Sequence, residues 1–324
     1  MTSRSWWLLC AVGATLCSAG LASAAQTYPT RPIRLVVPFP PGAASDFFAR
    51  TIGQKLSEMY SQQVVVDNRP GAGGVVGSVI VASAPADGHT LALIGTPHVV
   101  NSLLSGKGQY RAIEDFTAIT QVTSLPNVIV VAPGVPVHDL KELIALAKAK
   151  PGQLNFGSAG VGSLSHMAGE LFKSSAGIDA VHVPFKLLSD ASSALMNGSV
   201  QYYIFPVAAA TPLLEGGRLR ALAVTTKKRL EGLPNVPTTA EAGLPNYTFE
   251  GWFGLAGPAK IPRNIVAKIN ADVIKVLQQP DTKERFLRQG AETVYGTPQE
   301  FEKLMKDEYA RFEGVVRQSN LKVQ

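Results

Sequence analysis

The chain has 324 residues, 46% of them hydrophobic and 17% charged, which suits two globular domains and excludes wholesale disorder. Its formal charge of +6 is diffuse: the densest basic group, Lys227-Lys228-Arg229, is three residues long. No basic block is interleaved with aromatics, so nucleic acid is not the expected partner, and a diffuse positive field suits an acidic small ligand.

The N-terminus opens with Arg4, continues as an apolar run from Trp6 to Leu21 and ends Ala22-Ser23-Ala24-Ala25. A positive start, a short apolar stretch and an A-x-A end describe a secretory signal peptide over residues 1–25, cut after Ala24 or Ala25. Gly13, Ser18 and Gly20 interrupt the run, which falls short of the ~20 apolar residues of a membrane anchor. Both cysteines, Cys10 and Cys17, leave with the signal. The mature chain then has no thiol for a disulfide, a thiolate metal site or a nucleophile.

Strand and helix patterns alternate from there. Residues 33–39 form a nearly continuous apolar β run, a turn follows at 42–46, and Phe47, Phe48, Ile52, Leu56 and Met59 recur at helical spacing. Short strands are predicted at 64–66, 90–94 and 128–132, and a helix at 140–148 ends at Pro151-Gly152. The second half repeats the grammar. A strand at 154–157 leads through a small-residue turn at 158–162 to a helix whose apolar face is Leu164, Met167, Ala168, Leu171 and Phe172. Strands follow at 181–183, 200–205, 219–224 and 249–255, then helices at about 263–277, 282–289 and 298–318. This is an α/β pattern with mainly parallel sheets. The strand–small turn–helix unit occurs twice, at 33–59 and 154–173, which implies two similar lobes. Ligands of such sheets bind beyond the carboxyl ends of the strands, where the turns lie.

Two turns carry the expected chemistry. In the first, Pro38 to Asp46, prolines stiffen the backbone, Gly42 allows a φ other residues resist, and Ala43 and Ala44 leave backbone N–H groups uncovered at a helix start. Free N–H groups and the helix dipole favour an anion there. Ser45 or Asp46 could equally be an N-cap, and Asp46 could pair with Arg50. The second turn, Ser158-Ala159-Gly160-Val161-Gly162-Ser163, again places small residues before a helix, with hydroxyls as extra donors. Other motifs fall short. Gly71-Ala72-Gly73-Gly74-Val75-Val76-Gly77 fails the G-x-G-x-x-G spacing of a dinucleotide loop, because Val76 stands at the third glycine. Ser163, Ser165 and His166 lack a nucleophile elbow, and the histidines show no metal-ligand spacing. Trp252 is either core or cleft wall.

These residues resemble a known family, the extracytoplasmic solute receptors of the tripartite tricarboxylate transporters, also called Bug receptors. The matching stretches include Tyr28-Pro29-x-Arg31-Pro32-Ile33, Val37-Pro38-Phe39-Pro40-x-Gly42 and Asp67-Asn68-Arg69-Pro70-Gly71-Ala72-Gly73-Gly74. They continue through Asn155-Phe156-Gly157-Ser158-Ala159-Gly160-Val161-Gly162-Ser163 and His182-Val183-Pro184-Phe185 to Val236-Pro237-Thr238-x-x-Glu241-x-Gly243-Leu244-Pro245. The resemblance implies a two-lobed, type II-like periplasmic binding protein with an interlobe cleft, two crossover strands near 128–132 and 219–224, and no enzymatic activity or cofactor. The implied division is a first domain of residues 26–125 and 226–324 and a second of 126–225. The implied ligand is a small organic acid handed to a membrane permease by a monomeric periplasmic receptor. Its contacts map onto Phe39, Pro41, Gly42, Ala43, Ala44, Ser45 and Asp46, onto Thr96, and onto Ser158, Ala159, Gly160, Gly162 and Ser163. Three positions depart from the family pattern: Ala43 replaces a glycine, Leu187 follows Phe185-Lys186 where glycine is usual, and Gln201 replaces an aspartate. The last two bear on the second lobe's side of the cleft.

Overall fold

The computed structural model describes residues 28–104, 109–161 and 163–319; the predicted signal segment and Gly162 lie outside them. The apolar run after Pro32 becomes β1 (Ile33–Val37), flanked in parallel by β2 (Val64–Asn68) and β3 (Thr90–Gly95). Between β1 and β2 runs α1 (Ala44–Tyr60), whose buried Phe48, Ala49, Ile52 and Leu56 form one helical stripe. That stripe packs on Ile33, Leu35 and Val37. Each fully buried Phe, Ile, Leu or Val of this contact contributes about 1.5–3 kcal/mol. The opposite face of this sheet is covered by α2 (Val75–Ala82), α3 (Thr96–Leu104) and the first half of the terminal helix α10 (Pro298–Ser319).

β4 (Phe116–Val131) is the strand that joins the two halves. Its residues up to Pro126 pair with β9 (Glu250–Pro258); from Asn127 onward they pair with β7 (Tyr202–Pro206) and β8 (Arg220–Val224). The outward crossing therefore falls at Pro126–Asn127, just before the predicted position. The return crossing comes after β8, in the segment that leads from Val224 to Glu250. The second half adds α4 (Leu140–Ala149), β5 (Asn155–Ser158), α5 (Leu164–Ala176), β6 (Val181–Pro184), α6 (Leu188–Met196) and α7 (Val207–Glu215). The chain closes with α8 (Arg263–Gln278), α9 (Pro280–Leu287) and the short β10 (Glu292–Thr293), which pairs with β4.

Among the described residues, parallel strand pairs are β2–β1–β3 and β7–β5–β6, with one isolated parallel bridge between Val224 and Thr238. All pairings of β4 are antiparallel, as is β3–β9. The reason is topological. β4 carries the chain out of the first half and β9 carries it back, so neighbours at the crossing must run in opposite directions. The sheets are thus more mixed than the alternating sequence pattern implied. The terminal helix also crosses. Phe301 and Met305 are buried in the first half, whereas Phe312 and Val315 are buried in the core of the second.

Candidate functional site

β1, β3, β5 and β7 all point their carboxyl ends toward the junction of the halves, so their turns meet there. The first turn leaves β1 through Pro38-Phe39-Pro40-Pro41. Gly42 adopts φ +82°, a left-handed conformation that a side chain would strain. Its N–H donates to Asp46 Oδ2 at 3.0 Å, and Arg50 Nε donates to the same oxygen at 3.0 Å. Asp46 therefore both pairs with Arg50 and closes the turn. Burial would raise its pKa; the Arg50, Gly42 and Asn68 hydrogen bonds outweigh this and hold the carboxyl below its usual range. The Ala43 N–H is also engaged, on Pro40 O at 3.4 Å. The donor expected at Ala43, like that of Gly42, is thus used within the turn. The open end is the start of α1 itself, at Ala44 and Ser45, which carries no side-chain cap. Phe39 stands edge-on to Phe253, ring centroids 5.8 Å apart, and its carbonyl accepts from Asn68 Nδ2 at 3.2 Å.

The second turn is braced from beneath. Buried Ser158 accepts the Gly160 N–H at 3.1 Å, and its hydroxyl lies 2.5 Å from His182 Nε2. The Ala159 N–H donates to Ser165 Oγ at 3.0 Å, and the Tyr203 hydroxyl donates to the same oxygen at 3.0 Å. Ser163 caps α5 by accepting the His166 N–H at 3.3 Å. His166 and His182 stack, centroids 3.8 Å apart. Burial first, then the charge of Lys173 for His166 and the proximity of His166 and Lys173 for His182, brings both imidazoles down to about 4. Both rings are therefore neutral at pH 7. The hydroxyl oxygens of Ser163 and Ser165 thus serve as acceptors that brace the turn.

Between the turns lies a cavity of about 500 Å³. The first turn contributes Pro38, Phe39 and Pro40 to its wall, and the second contributes Val161 and Ser163. Of the predicted contact residues, the structure brings Phe39 and Ser163 together there. Pro41, Gly42, Ala43, Ala44, Ser45 and Asp46 do not line this cavity, and neither do Ser158, Ala159 and Gly160. Gly162 is outside the described residues. Thr96 is fully buried, and its hydroxyl oxygen accepts the backbone N–H of Trp252 at 3.3 Å. Trp252 itself is core, 2% exposed and edge-on to Phe301.

The rest of the wall comes from elements the sequence reading did not assign to the site. Pro70 and residues 71–74 form one side, and Pro97, Asn101 and Leu104 of α3 another. The glycine run that fails as a dinucleotide loop is thus a cleft wall. Gly73 has φ +68°, its carbonyl accepts from Asn101 Nδ2 at 2.7 Å, and a Cβ at this position would sit 2.5 Å from that nitrogen. The glycine run was the available signal; its packing on α3 was not readable. Of the unusual positions, Leu187 is exposed at the cleft end of β6 but off the cavity wall. Gln201 braces the opposite end of the sheet, accepting the Asn155 N–H at 2.7 Å, so it stands away from the cleft. Among the described residues, no group of three or more His, Cys, Asp or Glu converges as a metal site, and no helix is long and apolar enough to cross a membrane.

Two half-sheets joined by crossing strands, with a cavity between their βα turns, define a solute-binding receptor. The chain belongs to the tripartite tricarboxylate transporter receptor family, whose model matches residues 48–321. The BugT protein of Bordetella pertussis is 36% identical over 320 residues, 98% of each chain. A protein of R. palustris solved with adipate is 37% identical, with a TM-score of 0.73 over 91% of this chain and 99% of that one. MatC of Rhodopseudomonas palustris, solved with bound malate, is 33% identical, with a TM-score of 0.72 over 89% of this chain and 100% of that one.

Proposed function

We propose that the mature chain is a monomeric receptor, exported by its 1–25 signal segment, that closes two lobes on a small organic acid and hands it to a membrane permease. The lobes of this reading are residues 26–125 with 226–324, and 126–225. The observation that carries it is the single cavity walled by both βα turns, each of which opens a helix N-terminus. Backbone N–H groups at such ends stabilise a carboxylate without a cationic side chain. Relatives solved with adipate and malate support an acid as the cargo. Closure is a hinge motion about the crossing segments, and ligand favours the closed state only through better contacts there.

The test is a thermal shift of the purified mature protein against mono-, di- and tricarboxylates and their neutral amides. Ligand at ~100 Kd adds about 2.7 kcal/mol of stability. Mass spectrometry of solute retained through purification identifies the cargo, and co-purification with permease subunits tests delivery. A melt shifted by the amides and by none of the acids refutes the proposal.

A further inference from the structure

We infer that Gly290 and Ala208, across the crossing strands from the cleft, form a stop that limits how far the lobes open and so sets how tightly an acid is held. This inference rests on the receptor reading above and deepens it. A second cavity, of about 790 Å³, is walled by both halves. Pro126 and Glu250 of the crossing strands, Ala208 and Thr211 of α7, and Leu287 and Gly290 at the end of α9 contribute to it. In the first half the strands run β2–β1–β3–β9–β4, and β10 pairs with the other edge of β4. The first cavity lies at the carboxyl ends of β1 and β3, and the second lies beside β10. The crossing strands β9 and β4 therefore separate the two cavities.

The halves touch at the second cavity. A Cβ built on Gly290 would fall 2.1 Å from the Ala208 Cβ. Gly290 also ends α9, with φ +70° and its N–H donating to Leu287 O at 2.8 Å, which by itself favours glycine. The approach of Ala208 is a separate demand that the helix end does not make. Ala208 is otherwise exposed, so this contact can part without uncovering a core. Rotation about the crossing strands that widens the first cavity presses Gly290 onto Ala208, and rotation that narrows it draws them apart. Packed atoms do not compress, so the contact sets the limit of opening. Bulk added there favours the narrowed arrangement and leaves every residue of the cleft wall in place.

The experiment wedges the stop and reads the lobes without ligand. Gly290→Asn adds a Cβ with the side chain that best tolerates a left-handed backbone after glycine. Ala208→Ile adds two γ carbons, which cannot both rotate away from Gly290. Combining Gly290→Asn with Ala208→Gly relieves the wedge, because the next atom then met is the residue 208 Cα at 3.5 Å, an ordinary contact. The chain has no cysteine after Cys17, so spin labels at Val76→Cys and Leu187→Cys, exposed positions in the two halves, report the lobe separation by pulsed electron resonance. Both wedges are expected to shorten the label distance, and the relieved double variant to restore it. Titration calorimetry with adipate and malate should show binding tightened by up to about 10-fold in the wedged proteins, the gain available when the narrowed state is about one-tenth populated. A label distance unchanged or lengthened in both folded wedge variants overturns the inference and leaves the receptor reading standing. A Gly290→Asn effect that survives Ala208→Gly also overturns it, since the change then comes from the end of α9 alone. If no acid of the panel above binds wild type, the receptor reading falls, while a label distance shortened by the wedges still supports the stop.

Discussion

Asp46 offers the sharpest test of how the first turn is held. In Asp46→Ala, Oδ2 disappears, and with it the bonds from the Gly42 N–H and Arg50 Nε, both 3.0 Å. Gly42 is exposed, so its released N–H is rehydrated, and that bond is worth about 1 kcal/mol rather than a full burial penalty. Arg50 is 55% exposed, so solvent screening limits its pairing to about 0.5 kcal/mol. Loss of a carboxylate from the first turn of α1 adds about 0.5 kcal/mol. Against these stands Oδ1, buried without a hydrogen-bond partner, whose removal returns up to about 1 kcal/mol. The expected net loss is about 1 kcal/mol, read as a lowered urea midpoint at pH 7. The pH dependence supplies the sign. The folded pKa lies below the unfolded one, so the charge's contribution is complete above about 3.9 and vanishes as pH falls through the depressed folded value. The gap between wild type and Asp46→Ala should narrow in acid, and Asp46→Asn should fall between them at pH 7. A variant as stable as wild type at pH 7, or a gap that persists unchanged at pH 2, refutes the account.

Three further outcomes follow from the same geometry. Gly73→Ala forces a left-handed conformation and displaces Asn101, for a loss of about 2–3 kcal/mol in urea denaturation; combining it with Asn101→Ala should cost less than the two single losses added. Ser163→Ala should cost about 1 kcal/mol through the lost cap, whereas Ser163→Asp should keep the melting temperature and weaken acid binding by placing a carboxylate on the wall. His98, fully enclosed between Ser78 and the Ala112 carbonyl, is brought down by burial to about 4, as His166 and His182 are. These depressed values contribute stability that is present above about pH 6.5 and lost as pH falls toward 4. Denaturation midpoints at pH 7.5 and 4.5 measure that loss, and His98→Gln should flatten it.

Much of the architecture was readable because its causes are local. The α1 stripe and the small residues of both turns involve neighbours a few positions apart. The Asp46–Arg50 pair was visible as an i,i+4 possibility for the same reason. Other elements were hidden by their own composition. The first part of β4 carries Thr117, Thr120, Gln121, Thr123 and Ser124, which mask its strand character; several are satisfied by hydrogen bonds to distant backbone, such as Thr120 on Gly296 O at 3.1 Å. The apolar α2 has no polar face to set its period, because it is a short helix packed on the sheet.

The site divides along the same line. The sequence by itself determined that two glycine- and alanine-rich turns each open a helix. Backbone conformation and residue size decide those features position by position. Only the tertiary structure decided which donors remain open. Gly42 and Ala159 surrender theirs to Asp46 and Ser165, while the glycine run and α3 become walls through contacts as distant as Gly73 to Asn101. Hydrogen-bond partners and cavity walls are relations between residues brought together by sheet order, and that order is set by the whole core rather than by any one segment.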